Sequence, residues 1–213
     1  MKKPFALLTL FILIVAGCSP SPTNVPAGAP GEVLYQETFS DPDSGWEQTA
    51  KTVGSMDYFS GVYRIIVAEP DYDLWTTSGL RFTDVRVEVD AAHYSGTENN
   101  RFGLICRYQD AMNFYFFVIS SDGYQAIGKT SQGETSLLSG AMMTRSEAII
   151  VGIAPNHLRF DCAGSTLAGY VNGMLVASVQ DSAFPDGDIG LLAGAFDATL
   201  VDIIFDNLIV TQP

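Results

Sequence analysis

The chain is poor in positive charge. It carries 11 lysines and arginines against 24 aspartates and glutamates, a formal net charge of −13 over 213 residues. Its lysines are Lys2, Lys3, Lys51 and Lys129. A phosphate backbone needs a basic surface, so nucleic acid is excluded as a partner. The same deficit excludes an electrostatic grip on anionic lipid. Histidine and cysteine are scarce too, at two and three residues. No zinc-ligand spacing, EF-hand pattern or glycine-rich phosphate loop occurs. Cys106 and Cys162 sit mid-strand, and no nucleophile motif lies near His93 or His157, so no nucleophile, base and orienter can be assembled by a known pattern. No segment has the periodicity of an amphipathic helix. The one long apolar run, from Phe5 to Ala16, is too short for a comfortable membrane span.

That run fits export instead. Lys2 and Lys3 precede it, and Val15-Ala16-Gly17-Cys18 closes it: a basic start, a short apolar stretch and small residues before a cleavage point. The last four residues resemble a bacterial lipobox, which implies cleavage before Cys18 and diacylation of its thiol. Residues 1–17 are then a signal peptide. Residues 18–31 are the lipidated cysteine and a Pro/Ser/Gly-rich spacer with nothing to anchor a core. Residues 32–213 make one domain, long enough to bury a core and with no second linker. Loss of two lysines takes the net charge from −13 to −15, which favours solubility outside the cell. The expected location is the bacterial cell envelope, facing outside the cytoplasm, with the lipid anchor as the only membrane contact.

The domain reads as strands throughout. Arg101 to Lys129 shows three in succession, joined at Gln109-Asp110-Ala111-Met112 and Ser121-Asp122-Gly123. Phe102, Leu104, Cys106 and Tyr108 share a face of the first; Phe114, Phe116 and Val118 share a face of the second. The opposite faces carry Ile105, Tyr115, Phe117 and Ile119, so these strands are central in a layered structure. Val85, Val87, Val89 and Ala91 alternate with Arg86, Glu88, Asp90 and Ala92. Asn172-Gly173 between apolar runs predicts a two-residue hairpin, because both positions of a type I′ turn need positive φ. Many short strands with regular turns predict an all-β, two-sheet antiparallel sandwich.

FSDPDSGW, GLICRYQDAMNFYFF, YVNGMLV and DIGLLAG…FDNLIV resemble the concanavalin A-like lectin/glucanase superfamily, and within it the 3-keto-disaccharide hydrolase-like and laminin G-like jelly rolls. The resemblance covers about Val33 to Val210. It implies two curved sheets and a concave face that often binds glycans. It also invites comparison of Glu88-Val89-Asp90-Ala91-Ala92-His93 with the Glu-x-Asp-x-x-Glu motif of laminarinase-type glucanases. Glu88 and Asp90 match. His93 stands where the general acid should be, so the resemblance implies binding more than hydrolysis. In the same relatives an acid of the opening strand and an aspartate of the closing strand hold calcium, which implies a structural Ca²⁺ at Glu37 and Asp206.

Aromatic faces and arginine forks are the usual tools for sugar rings. Arg107 and Tyr115 lie opposite the more apolar rows of their strands. They are expected side by side on an exposed sheet, with Tyr124 and Trp75 at the flank and Glu88 or Asp90 paired to Arg107. Cys106 and Cys162, left over once Cys18 is acylated, are expected to form a disulfide in an oxidising compartment. The reading is an envelope lipoprotein with a non-catalytic, polysaccharide- or oligosaccharide-binding domain. The alternatives are a divergent sugar hydrolase of the same fold and an adhesion module for another envelope protein.

Overall fold

The structure is a computed structural model that describes residues 22–197 and 200–213. Cys18, the expected signal peptide and the start of the expected spacer lie outside the described residues. Among the described residues there are 17 strands and no helix. They form two sheets. The first runs, edge to edge, β1 (Thr23–Asn24), β6 (Asp73–Phe82), β16 (Gly187–Ala195), β8 (Asn100–Asp110), β9 (Asn113–Ile119), β10 (Tyr124–Ser131) and β11 (Glu134–Leu137). β12 (Thr144–Arg145) also pairs with β10. The second runs β15 (Met174–Gln180), β14 (Thr166–Val171), β13 (Asn156–Ala163), β7 (Val85–Gly96), β17 (Val201–Thr211), β5 (Val62–Val67), β4 (Gly54–Phe59) and β3 (Thr49–Lys51). β2 (Val33–Glu37) also pairs with β17. The expected sandwich is present, and its central strands are antiparallel.

Alternation builds the core. On β7, Val85, Val87, Val89 and Ala91 are buried while Arg86, Glu88 and Asp90 face out. Facing them from the first sheet are Phe102, Leu104, Tyr115, Phe117 and Ile119. Phe117 and Phe160 meet between the layers at 5.8 Å. Each such side chain contributes about 1.5–3 kcal/mol on leaving water. Cys106 of β8 is bonded to Cys162 of β13, so the predicted disulfide ties one sheet to the other. Asn172 and Gly173 have φ of 50° and 81°, as the hairpin between β14 and β15 requires.

Two features depart from the sequence reading. Thr23 and Asn24 pair in parallel with Leu80 and Arg81, and Gly28 and Gly31 donate to Gln212. The later part of the stretch read as a free spacer therefore lies on the sandwich. The β8–β9 ladder also slips: Cys106 faces Tyr115 and Asp110 faces Asn113, leaving Arg107, Tyr108 and Gln109 opposite Phe114. Arg107 takes a φ of 51° to make this bulge. A bulge reverses the inside–outside phase of the residues beyond it. Cys106 points into the core, whereas Tyr108 joins Phe114 on the outer face.

Candidate functional site

The outer face of the first sheet is apolar in its own right. Ile105, Phe114, Phe116, Val118, Ala126 and Leu192 form a second buried cluster, with Trp75, Tyr108, Leu137 and Met143 packed on it. Period two puts them there. β6 presents Asp73 and Trp75; β16 presents Gly190, Leu192 and Gly194; β8 presents Arg101, Gly103 and Ile105. One row across the sheet reads Trp75, Leu192, Gly103, Val118, Ala126. The next row, toward the start of β6 and the end of β16, reads Asp73, Gly194, Arg101. β11 folds back beside β10, which Gly128 permits: a Cβ there would lie 2.3 Å from the Phe116 ring and 2.7 Å from Ser136 O. The result is a cavity of about 540 Å³, walled by Trp75, Leu137 and Met143 and floored by Phe114, Phe116 and Val118.

Its polar end is a charged pair. Arg101 Nε donates to Asp73 Oδ1 at 2.6 Å. The guanidinium also lies over the Phe196 ring, 4.4 Å from its centroid. The pair can form because Gly194 lies between the two strands: a Cβ at 194 would sit 1.8 Å from Asp73 Oδ1 and 2.8 Å from Arg101 Nε. Trp75 and Phe114 rings stand 5.6 Å apart at a tilt of 38°. Thr130 and Thr135 hydroxyls, also in the lining, bond to each other at 2.9 Å. Asp73 is the one carboxylate among the described lining residues. Among the described residues such a site offers flat apolar surface, one donor fork, one carboxylate and two threonine hydroxyls.

Of the residues expected to bind, Trp75 lies in this cavity. Tyr124, 38% exposed, lies on β10 in phase with Ala126 and Thr130, beyond the cavity beside Arg145. Arg107 and Tyr115 require correction. Both are buried, at 2% and 0% exposure. Arg107 turns inward at the bulge and donates to the carbonyls of Thr83, Gly164, Phe184 and Cys162; its carboxylate partner is Asp84 at 3.0 Å, neither Glu88 nor Asp90. Those acceptors satisfy a cation that burial would otherwise make costly. Tyr115 points into the core and donates its hydroxyl to Asp181 at 2.5 Å. Burial, with the neighbouring carboxylate, pushes its pKa up to about 12. Burial also raises Asp181, but hydrogen bonds from Lys129 and Tyr115 outweigh it and hold that carboxyl below its usual range.

Glu88 and Asp90 lie on the outer face of the second sheet, on the far side of the sandwich. His157 sits between them, with Nδ1 2.8 Å from Asp90 and Nε2 3.7 Å from Glu88, and Asn207 donates to Asp90 at 3.0 Å. His93 points the other way, into the core, with both ring nitrogens unpartnered among the described residues. Glu88, Asp90 and His93 therefore share no face. β2 and β17 do pair, with Glu37 opposite Leu208. Glu37 Oε1 accepts from Phe39 N–H at 2.6 Å, and Asp206 accepts from Asn207 N–H at 2.7 Å. Among the described residues no three acid, histidine or cysteine side chains converge as metal ligands. Each of these two carboxylates is engaged by its own local backbone.

Sequence reasoning missed Arg101, Asp73 and Gly194. A signal was available: Gly190 and Gly194 interrupt an apolar strand, and strand glycines mark close approach.

Comparison with protein-family models finds no match, and comparison with curated proteins finds none. Solved structures do match. A carbohydrate-binding module, CBM66, from Bacillus subtilis superposes with a TM-score of 0.64 at 21% identity, over 79% of this chain and 96% of that one. A protein of unknown function with a galectin-like fold, also from Bacillus subtilis, gives 0.66 at 12% identity, over 86% and 97%. The Bacillus licheniformis β-glucanase gives 0.61 at 12% identity, over 84% and 98%. The fold is thus the concanavalin A-like jelly roll. At these identities the likeness speaks for architecture.

Proposed function

We propose that the protein is a lipid-anchored envelope protein whose sandwich binds saccharide in the cavity on the outer face of the first sheet. The observation that carries this is the Asp73–Arg101 pair held over Gly194 beside Trp75. An aromatic face takes the C–H side of a sugar ring, and a fixed donor fork with an adjoining acceptor takes its hydroxyls. The solved structures that share the fold include a carbohydrate-binding module and a β-glucanase, which supports sugar as the ligand class. Retaining hydrolysis needs two carboxyls about 5–5.5 Å apart. Among the described residues Asp73 is the one carboxylate that lines the cavity, and Glu88 and Asp90 are on the other sheet, so binding is the better-supported reading.

The anchor is proposed from Lys2, Lys3, the apolar run and Val15-Ala16-Gly17-Cys18. Intact mass of the purified protein should show an acylated Cys18 as first residue; an unacylated start elsewhere overturns the anchor. For the site, a glycan array and a reducing-sugar assay run on one preparation should give retention without product. Affinity should be of order millimolar to micromolar, roughly −4 to −8 kcal/mol. Trp75→Ala and Arg101→Ala should each remove retention while the melting temperature holds. Retention unchanged in both variants sinks the assignment.

A further inference from the structure

We infer that the saccharide taken by the cavity carries an apolar substituent, an alkyl or acyl chain, with its hydroxyls at Arg101 and Asp73 and the chain against Leu137, Met143 and Val118. This deepens the glycan reading and rests on it. The lining is lopsided. Polar side chains come from Asp73, Arg101, Thr130 and Thr135, and the two threonines bond to each other. The charged pair stands at one end, in the row at the start of β6 and the end of β16, and the bonded threonines lie beside Phe114 toward the other; the side chains of the remaining wall and floor are aromatic, aliphatic or thioether. From the Arg101 row to Phe114 the face runs about 20 Å at the strand rise. A bare sugar has a hydroxyl on most of its carbons. Laid along this wall, it would strip water from hydroxyls that find no partner.

A fatty acid fits no better. Arg101 is already neutralised by Asp73 at 2.6 Å, and no other cation lines the cavity among the described residues. A carboxylate head would meet Asp73. The site therefore suits a head that is neutral and both donates and accepts, joined to an apolar tail. About 540 Å³ lies within the range of small-molecule cavities and leaves room for both parts.

The test uses the full chain in lipid nanodiscs, with empty discs as blank, titrated by calorimetry. The probes are the methyl and hexyl β-glycosides of glucose, galactose, mannose and N-acetylglucosamine, with 1-hexanol as the tail alone. At least one hexyl glycoside should bind at least about tenfold more tightly than its methyl twin and than hexanol, since buried methylenes add affinity. Leu137→Ser and Met143→Ser, both at half-buried positions on the wall, should erase that gain, bringing the hexyl glycoside down to its methyl twin measured on the same variant. Equal binding of a methyl and hexyl pair overturns the inference and leaves the glycan reading standing. Hexanol as tight as the best hexyl glycoside overturns both, because the sugar then contributes nothing. No binding by any probe also overturns both. A hexyl gain that survives both serine variants overturns the placement of the tail.

Discussion

Asp73 and Arg101 belong to strands that do not pair, yet their side chains meet at 2.6 Å above the strand between them. Gly194, opposite both, makes the meeting possible. Gly194→Ala is accordingly the sharpest probe of the site. Its Cβ would fall 1.8 Å from the Asp73 carboxylate. The closest clash is with the end of the Asp73 side chain, and Arg101 is met along its flexible stem at Nε and Cγ, so both can swing away and the strand survives. Glycan affinity should drop at least about tenfold, a loss of ~1.4 kcal/mol, with a melting temperature within a few degrees of wild type. Calorimetric titration beside a thermal melt decides it.

The disulfide should dominate stability. Cys106 and Cys162 are 56 residues apart in sequence, and closing a loop of that length stabilises by ~4 kcal/mol on the chain-entropy model. The double variant Cys106→Ala/Cys162→Ala should lose about that much unfolding free energy, read as a lowered urea midpoint. An unchanged midpoint would mean that sheet-to-sheet packing suffices without the bond.

Tyr115 should behave as a core residue. Its hydroxyl donates to Asp181 and accepts from Phe184 N–H at 3.1 Å. Tyr115→Phe should cost about 1.5–3 kcal/mol, the range for hydrogen bonds to a charged group, and leave glycan affinity alone. The folded pKa of about 12 lies above the unfolded value of 10. Its contribution is therefore complete below pH 10 and is lost as pH rises through about 12. Tyrosinate absorbance should show this residue ionising together with alkaline unfolding, and the phenylalanine variant should lack that component.

His93 is a polar group in an apolar place. It is 3% exposed and neither ring nitrogen has a partner among the described residues. An unsatisfied buried group costs about 1–3 kcal/mol. His93→Leu should raise the melting temperature. A lower one would show that the imidazole has a partner in solution.

A structural calcium at Glu37 and Asp206 is open to a direct thermal test. Glu37 and Asp206 each accept from nearby backbone N–H groups. If the pair holds calcium together with nearby carbonyls, a melt in millimolar-range calcium should lie above a melt in chelator; melts that overlay would refute the site.

Much of the architecture was legible in period-two patterning: the strands of Arg101 to Lys129, the Val85–Ala91 face and the Asn172-Gly173 hairpin are where the pattern put them. The face that carries the cavity was half legible. β9 is apolar on both sides, and nothing local says which side meets the other sheet. The bulge at Arg107 supplied the wrong phase, because Cys106 and Tyr108 look co-facial until the extra residues intervene. Trp75, singled out in the sequence for its chemistry, lies in the cavity. Arg101 was not, because its partner Asp73 is distant in sequence and the glycine that joins them belongs to a third strand. That relation exists only once the sheet order is known.

The bond between Cys106 and Cys162 has a mechanical meaning as well. A protein held at its N-terminal side and pulled through its ligand bears load across the sandwich. The cross-linked loop contains β9, β10, β11 and Met143, which supply the floor and one wall of the cavity. Strands peeled from either end can lengthen the chain, but that loop cannot be drawn out while the bond holds. Tension would fray the edges of the domain and reach the floor of its cavity last.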